Sequence, residues 1–434
     1  MKKNKIIILA FVITGVAYLL YSKPSKVKCV YPDYFAALNM ALKTTYGGES
    51  AGVMDLDRLD HNAELVSRQL GDRYRLRLVT KSLPSVDLLN YLMIRTKTNR
   101  LMVFSEPFIA EILQRCNVDS LDILLGKPLP VEALGRLSVN KGWNTIHWLV
   151  DTRERLNDYL AFAKKENVRL KVSLEINVGL QRGGLQTVQQ LSELVETIKA
   201  NSSYLELTGL MGYDGHVPYV PFYINKAKAI KMAFAEVQKS YAVFVDELKK
   251  HYDDEFIRSL TLNSGGSRTY FHYPEYKDYT PVNEIAMGSG FLAPAEFPEL
   301  EKLGHQPALF LCSPVLKKTE SAKLPHAEKI SPLVNWWNPN LKVSYFMLGG
   351  GWPGDLVAPA GLQKNPFWEE EGKNYANLLP SQSICSSSDE NRLQVGDFVF
   401  SQAWEGDGML CFNKILLYRQ HKFIGEWKTY KGGN

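Results

Sequence analysis

Short apolar runs alternate with longer, helix-like segments between residues 76 and 290. Such runs predict buried strands, and leucine or isoleucine recurring every three or four positions predicts amphipathic helices. The strand candidates are LRLVT (76–80), LMVFS (101–105), LDILL (121–125), TIHWLV (145–150), LKVSLEINV (170–178), YLELTGLMG (204–212), SLTLNSGG (259–266) and NEIAMGSG (283–290). Eight alternations predict an α/β fold, a (β/α)8 barrel of the TIM type, with an open doubly wound sheet as the alternative.

The pattern changes after about residue 295, where proline and tryptophan become frequent and helical periodicity fades. Four later segments read as strands joined by turns: KVSYFML (342–348), GDFVFS (396–401), CFNKILLY (411–418) and KFIGEWKTY (422–430). We therefore expect the barrel to span residues 51–294 and a β-rich domain to span residues 295–434. Residues 29–50 are expected to form a lead-in that packs on the β-rich domain.

The N-terminal segment, residues 1–28, has a different character. An uncharged run from Ile6 to Ser22 lies between two groups of lysines. Its length is at the short end of the roughly 17 to 25 residues that a membrane-spanning helix requires, and it exceeds the core of a cleaved signal. The sequence therefore predicts a single-pass membrane anchor, with a cleaved signal or a buried helix as alternatives. Lysines on both flanks leave its orientation open.

The overall composition narrows the class of protein. A chain of 434 residues with 45% hydrophobic residues is typical of a globular protein. The formal charge of +5, without a basic stripe interleaved with aromatics, argues against nucleic-acid binding. A small molecule is the expected partner. The five cysteines include no CxxC pair and predict neither a disulfide framework nor a zinc site: Cys29, Cys116, Cys312, Cys385 and Cys411.

Reactive and flexible residues follow several of the predicted strands. In barrels of this type, functional residues gather at the C-terminal ends of the strands, and phosphate often binds after strands seven and eight. Those two loops read SGGS (264–267) and GSG (288–290), and glycine with serine lets backbone N–H groups and hydroxyls approach a phosphate. Lys81 follows the first strand. Each feature alone is more often an ordinary turn or a solvated lysine, but together they suggest an imine with pyridoxal phosphate.

The string RLRLVTKS (75–82) resembles the Schiff-base lysine motif of the alanine-racemase-like, fold type III pyridoxal-phosphate enzymes. More narrowly, the chain is similar to the D-threonine aldolase and D-serine dehydratase group, including amino-acid deaminase or aldolase relatives. The resemblance runs from about residue 50 to the C-terminus. Its other motifs follow in the family's order: MDLDRLDHN (54–62), LEINVGLQRGG (174–184), LTGLMGYDGH (207–216), LNSGGSRTY (262–270) and NEIAMGSG (283–290).

This resemblance implies a role for each matching residue. Lys81 would bond the cofactor and serve as the catalytic base, and Arg182 would lie near the cofactor's phenolic oxygen and the substrate carboxylate. Tyr213 and His216 would line the cofactor face. Without the resemblance, Arg182 reads as a partner of a helix carboxylate and His216 as a structural residue. The implied phosphate-binding residues are Ser264, Gly265, Gly266, Ser267, Gly288 and Ser289.

The sequence departs from the resemblance near its C-terminus. Relatives carry a metal-binding histidine there, whereas VFSQAWEGDG (399–408) has Gln402 at that place and Trp404 soon after. An amide and an indole are poor ligands for zinc or manganese. Glu405 and Asp407 are left as weak ligands for a hard cation, and Cys411 and His421 are the next residues to examine. We therefore assign no metal ligands, and the divalent metal is in doubt.

The resemblance implies a pyridoxal-phosphate enzyme of the lyase type, acting on a D- or β-hydroxy-amino acid by aldol cleavage or dehydration. One alternative is an amino-acid racemase, which needs a second base, often a tyrosine from a partner subunit, so that a homodimer is compatible with the sequence. The other is a protein that binds the cofactor without turnover, which the altered metal region favours.

Overall fold

The computed structural model describes residues 15, 18, 20–221, 225–320, 323, 328–365 and 382–430. The strands are β1 (Ala51–Asp55), β2 (Arg75–Val79), β3 (Arg100–Val103), β4 (Asp122–Leu125), β5 (Ile146–Val150), β6 (Leu170–Glu175), β7 (Leu205–Met211), β8 (Thr261–Ser264), β9 (Glu284–Met287), β10 (Leu309–Glu320), β11 (Val343–Leu348), β12 (Gly354–Ala358), β13 (Gln363–Lys364), β14 (Gln382–Ser387), β15 (Phe398–Ala403), β16 (Lys414–Arg419) and β17 (Lys422–Lys428). The α-helices are α1 (Asp33–Thr45), α2 (Leu56–Leu70), α3 (Val86–Thr96), α4 (Glu106–Arg115), α5 (Val131–Leu137), α6 (Arg153–Glu166), α7 (Val188–Ala200), α8 (Lys226–Leu248), α9 (Asp254–Ser259), α10 (His272–Glu275), α11 (Pro298–Lys302) and α12 (Ser331–Trp337).

Strands β2 to β9 form a closed barrel in chain order. Parallel pairing of β2 with β9, with Leu78 opposite Met287, closes it. The predicted (β/α)8 barrel is therefore confirmed, and the open sheet is excluded. Predicted and observed strands coincide except at their ends. For example, β6 ends at Glu175 because Ile176 pairs instead with Leu185 in an isolated bridge.

The helices around the barrel show why the apolar spacing was informative. Helix α7 begins with a capping box, in which the Thr187 side chain accepts from the backbone of Gln190 and the Gln190 side chain accepts in return. Its buried face presents Leu191, Leu194 and Ile198 at three- and four-residue spacing. Burial of that stripe, rather than helix propensity alone, holds the helix in place.

A cluster of paired charges fills the barrel near the N-terminal ends of its strands. Arg77 is almost fully buried, and its Nε lies 2.5 Å from Glu284 Oε1 while its Nη2 lies 2.8 Å from Asp122 Oδ1. Arg100 Nη1 contacts the same two carboxylates at 2.7 and 2.8 Å. Each buried charge thus has an opposite partner, as burial requires. The cluster lies at the barrel end opposite to the one where barrel enzymes bind ligands.

The strands outside the barrel form a nine-stranded sheet in the order β13-β14-β11-β10-β1-β16-β17, with β15 pairing with β10 and β12. This confirms the predicted C-terminal β-rich part. Cys29, Val343, Tyr345, Met347 and Val399 belong to one core cluster. Compactness divides the described residues into two units, one within 15–53, 310–404 and 418–424 and the other within 54–309, 405–417 and 425–430.

The lead-in helix α1 belongs to the first of these units. Asn39 accepts a hydrogen bond from the Phe398 backbone N–H at 2.8 Å, and the Phe35 ring lies 5.1 Å from that of Phe400. Tyr31 also donates to the Phe398 carbonyl at 2.7 Å. Helix α1 therefore packs against β15. The predicted domain limits remain predictions.

The predicted membrane anchor is wrong. In the part of the chain that the structure describes, no helix combines the length and the apolar character needed to cross a membrane. Most of the run from Ile6 to Ser22 lies outside the described residues. The sequence interpretation had relied on the uncharged length of that run alone.

We expect Arg77→Leu to lower the free energy of unfolding by about 3–5 kcal/mol, because one cation of a buried cluster is removed while the carboxylates of Glu284 and Asp122 remain. Denaturant unfolding followed by circular dichroism measures the change. Arg136→Ala is the control, since it breaks an exposed pair with Glu106 and should lower the free energy of unfolding far less. Equal effects of the two substitutions would contradict the role of the cluster.

Candidate active site

A cavity of about 890 Å³, including its open mouth, lies at the C-terminal ends of the barrel strands. Eight of the ten predicted site residues line it: Lys81, Arg182, Tyr213, Gly265, Gly266, Ser267, Gly288 and Ser289. The cavity thus brings together residues that are more than 200 positions apart in the sequence.

Lys81 reaches this cavity from a short 3-10 turn, Thr80–Ser82, that directly follows β2. The Leu83 backbone N–H donates to the Thr80 carbonyl at 3.0 Å and closes the turn. The Nζ atom of Lys81 lies 5.5 Å from the centre of the Phe104 ring. Ser85 then caps α3 by accepting from the Leu88 N–H. The turn therefore holds Lys81 between two rigid elements.

The two glycine-serine turns lie beside each other and leave no room for side chains. Gly265 has φ +83°, a conformation that favours glycine, and a Cβ on Gly288 would lie 2.9 Å from the Val79 carbonyl oxygen. Ser267 Oγ accepts from the Gly290 N–H at 2.8 Å and so links the turn after β8 to the turn after β9. A Cβ on Gly266 would lie 3.1 Å from Tyr213 Cε2. Such a cradle suits the close backbone approach that a phosphate needs.

Arg182 and Tyr213 form another wall of the cavity. The Arg182 guanidinium carbon lies 5.1 Å from the centre of the Tyr213 ring, and its Nη2 lies 3.7 Å from Glu175 Oε1. Burial raises the pKa of Glu175, and the Arg182 charge partly opposes that rise. Burial, with the charge of Asp214 adding to it, raises the pKa of Tyr213 to about 12. Tyr213 is therefore a neutral hydroxyl at physiological pH.

His216 and Ser264, which the family resemblance also selected, do not line the cavity. The His216 ring lies against Gly179, its Nδ1 is buried without a hydrogen-bond partner, and burial lowers its pKa. Ser264 is buried, and its hydroxyl donates to the Gly212 carbonyl. It also lies 2.8 Å from the Tyr273 hydroxyl. The Ser264 hydroxyl is thus engaged away from the cavity.

Sequence reasoning missed several residues of the cavity wall, among them Asn263, Arg268, Thr269 and Tyr219. Arg268 directly follows the SGGS turn, and this position was a usable signal. Its guanidinium is paired with Glu299.

Glu405, which the sequence marked only as a weak cation ligand, also lines the cavity. The Gly406 N–H next to it donates to Ser289 Oγ at 3.3 Å. Burial and then the charge of Asp407 raise the pKa of Glu405, and the charge of Lys81 opposes them. An amine and a carboxylate thus share one wall of the cavity.

The region where the resemblance would place a metal carries an unsuitable set of donors. Gln402 is buried on β15, opposite Phe310 and Asp355 in the sheet. Trp404 Nε1 donates to Asp355 Oδ1 at 2.7 Å, so the indole is a donor with a partner rather than a ligand. Across the described residues, no group of three or more His, Cys, Asp and Glu side chains could hold a metal ion. These residues do not fit a transition-metal site.

The class of protein follows from this fold and from a match to a known family. Residues 54–291, more than half of the chain, match the alanine racemase N-terminal domain. The chain therefore belongs to this family, whose members are fold type III pyridoxal-phosphate enzymes, and the predicted family relationship is confirmed.

One relative is 3-hydroxy-D-aspartate aldolase of Paracoccus denitrificans (strain Pd 1222), which is 24% identical over 198 residues. The match covers 44% of this chain and 48% of that relative. The chain thus matches about half the length of the relative.

Solved structures share the fold. D-threonine aldolase from Filomicrobium marinum superposes with a TM-score of 0.67 at 14% identity, covering 88% of this chain and 94% of that one. D-threo-3-hydroxyaspartate dehydratase from Delftia sp. HT23 gives 0.66 at 13%, covering 91% and 100%. Alanine racemase from Bacillus anthracis with bound L-Ala-P gives 0.66 at 13%, covering 88% and 98%. At these identities the likeness shows the fold alone.

We expect Gly266→Val to weaken the binding of pyridoxal phosphate by about tenfold or more, because a branched side chain would press on the Tyr213 ring and fill the space above the turn. Titration of the cofactor into the purified protein measures the dissociation constant. Gly135→Ala is the control, since its Cβ would make only an ordinary contact at 3.8 Å with Phe162. An unchanged dissociation constant for Gly266→Val would move the phosphate site elsewhere.

Proposed function

We propose that this protein is a pyridoxal-phosphate enzyme that acts on a D- or β-hydroxy-amino acid by aldol cleavage or dehydration. The observation that carries the proposal is the position of Lys81, in one cavity with two glycine-serine turns after β8 and β9. A primary amine beside a phosphate cradle is the arrangement that binding of this cofactor requires.

The residues of the cavity fit the parts of the cofactor. Lys81 offers the amine for its aldehyde, and the turns 265–267 and 288–289 offer backbone groups and hydroxyls for its phosphate. Tyr213 and Arg182, which line the same cavity, would face its ring. Pyridoxal phosphate, when bound, supplies an electron-withdrawing ring that stabilises negative charge on an amino acid joined to it. When it is not bonded to the cofactor, the Lys81 amine would be available to hold or move a proton at the substrate Cα.

The class of substrate rests on two further points. Arg182 is 48% exposed, with contacts to Glu175 and the Tyr213 ring, and its guanidinium would offer further donors to a substrate carboxylate. The names of the relatives all refer to D-amino or hydroxy-amino acids or to alanine. A free amino acid therefore remains the proposed substrate. A homodimer remains a prediction from the sequence.

A racemase is the second candidate, because the likeness to alanine racemase extends over 88% of the chain and the cavity holds further proton-transfer groups. Tyr213, Tyr219 and Glu405 are the candidates for the second base. A protein that binds the cofactor without turnover is the third reading. Assays with D-threonine, D-serine and both enantiomers of alanine separate the three.

We expect the purified protein to be yellow, and Lys81→Ala to remove the band, because Lys81 is the cavity amine that would bond the cofactor. Borohydride should fix the cofactor covalently to the peptide that contains Lys81, and mass spectrometry locates it. Lys127→Ala is the matched control, an exposed lysine next to cavity residue Gly126. A wild-type protein that is colourless and takes up no added pyridoxal phosphate would sink the proposal.

We expect EDTA to leave any activity nearly unchanged, because transition-metal affinity depends on nitrogen or sulfur donors that Gln402 and Trp404 do not supply. Activity is measured before and after dialysis against the chelator. Gln402→His tests whether one imidazole restores metal binding, although a site also needs its outer shell. Activity that EDTA abolishes and zinc or manganese restores would contradict this expectation. It would direct attention to Glu405, Asp407, Cys411 and His421.

A further inference from the structure

Asp214, next to the cavity residue Tyr213, is a fully buried carboxyl group. Its Oδ1 lies 2.8 Å from Thr269 Oγ1, and its Oδ2 lies 2.9 Å from the Tyr273 hydroxyl. That hydroxyl also lies 2.8 Å from Ser264 Oγ, which in turn donates to the Gly212 carbonyl. These contacts join the loop after β7 to both ends of the segment 264–269.

The number of protons in this network is informative. Leaving aside the longer approach of Thr269 Oγ1 to the Gly266 carbonyl at 3.5 Å, the network has four contacts that need four protons, but the hydroxyls of Thr269, Tyr273 and Ser264 carry only three. Ser264 uses its proton on the Gly212 carbonyl. The single proton of Tyr273 cannot serve both Asp214 and Ser264. A protonated Asp214 supplies the fourth proton, and every contact then has a donor.

The surroundings of Asp214 agree with a neutral carboxyl. Burial raises its pKa to about 6, and the hydrogen bonds from Thr269 and Tyr273 limit the rise. No charged side chain among the described residues contributes to that shift. The titratable groups that face Asp214 are Tyr213 and Tyr273, and burial raises the pKa of both, so both are neutral near pH 6.

We propose that Asp214 is a positioning residue, whose protonated carboxyl completes the network that holds the turn 264–269 in its phosphate-binding shape. The turn depends on this network through two contacts. The Tyr273 ring touches the turn, since a Cβ on Gly265 would lie 3.4 Å from Tyr273 Cε2. Thr269 ends the same segment, and its backbone N–H donates to the Gly266 carbonyl at 3.1 Å.

Loss of the Asp214 proton at higher pH should weaken the network and reduce its contribution to stability. An ionised Asp214 accepts hydrogen bonds from the hydroxyls of Thr269 and Tyr273. Tyr273 can then no longer donate to Ser264, and an uncompensated negative charge is buried. The folded state holds this proton up to about pH 6, whereas an unfolded aspartate loses it near pH 4. The contribution to stability is therefore complete below about pH 4 and declines as the pH rises towards 6.

The first test uses the full chain without cofactor. We expect NMR of 13C-labelled aspartate to show one carboxyl that titrates near pH 6 and is missing in Asp214→Asn. Amide hydrogen exchange in residues 264–269 of the wild type should speed up across that titration, relative to Asp214→Asn, whose amide mimics the protonated carboxyl. Asp278→Asn, at an exposed position, is the control. If Asp214→Asn does not fold, Thr269→Val replaces it and should raise the midpoint, because it removes a donor to the carboxylate.

The second test rests on the proposed function and measures the affinity for pyridoxal phosphate between pH 5 and 8. Since the phosphate itself titrates near pH 6, the comparison is the ratio of the two dissociation constants at each pH. We expect wild type to weaken relative to Asp214→Asn by about fivefold or more as the pH rises.

The outcomes are distinguishable. Two results of the first test would overturn the role of Asp214. One is an Asp214 carboxyl that stays ionised at every pH measured, and the other is amide hydrogen exchange in residues 264–269 that does not change as Asp214 titrates. A constant affinity ratio with normal cofactor binding would also overturn it. Failure to bind cofactor at any pH, with the apo-protein titration as expected, would overturn the proposed function and leave the role of Asp214 in the turn supported.

Discussion

Closure of the barrel between β2 and β9 is the constraint on which the site depends. The parallel register from Arg75 opposite Glu284 to Leu78 opposite Met287 brings the ends of the two strands together. The turn that carries Lys81 therefore begins beside the turn at Gly288, whose missing side chain leaves room for the Val79 carbonyl. The Lys81 amine and one of the proposed phosphate-binding turns thus become neighbours through the pairing of β2 with β9.

The two ends of the barrel use buried polar groups in opposite ways. Near the N-terminal ends, Arg77 is matched by the charges of Glu284 and Asp122. Near the C-terminal ends, burial raises the pKa of Asp214, and among the described residues its hydroxyl partners limit that rise while no cation contributes to it. Matched charges resist a change of protonation, whereas an uncompensated carboxyl responds to pH. The charge cluster around Arg77 at one end of the barrel is therefore expected to keep its protonation state, whereas Asp214 at the other end is expected to respond to pH.

The sequence predicted the barrel because strands buried on both faces read as continuous apolar runs. Among the strands that it missed are β1 and β10, which are neighbours in the nine-stranded sheet. Strand β1 is only the short segment AGVMD, and β10 contains Pro314 and ends in charged residues. The rule on strand ends, together with the family resemblance, found eight of the residues that line the cavity. It misplaced Ser264, because side chains alternate along a strand and Asn263 is the residue of β8 that lines the cavity. The sequence marked Glu405 only as a weak cation ligand and not as a cavity residue, since only the folded chain brings the neighbouring Gly406 to Ser289.

The altered metal region bears on the chemistry more than on the fold. The Trp404 indole donates to Asp355, and Gln402 lies within the sheet. Neither side chain therefore offers a nitrogen ligand at the position where the resemblance would place a metal. The same stretch nevertheless brings Glu405 into the cavity that contains Lys81. The segment 399–408 thus lacks suitable transition-metal donors at Gln402 and Trp404. It also supplies the carboxylate of Glu405, whose pKa is raised by burial and by Asp407. A carboxyl group of this kind can accept or return a proton. The cavity therefore contains a candidate proton-transfer group, Glu405, in addition to Lys81, although the residues around Gln402 do not favour a transition metal.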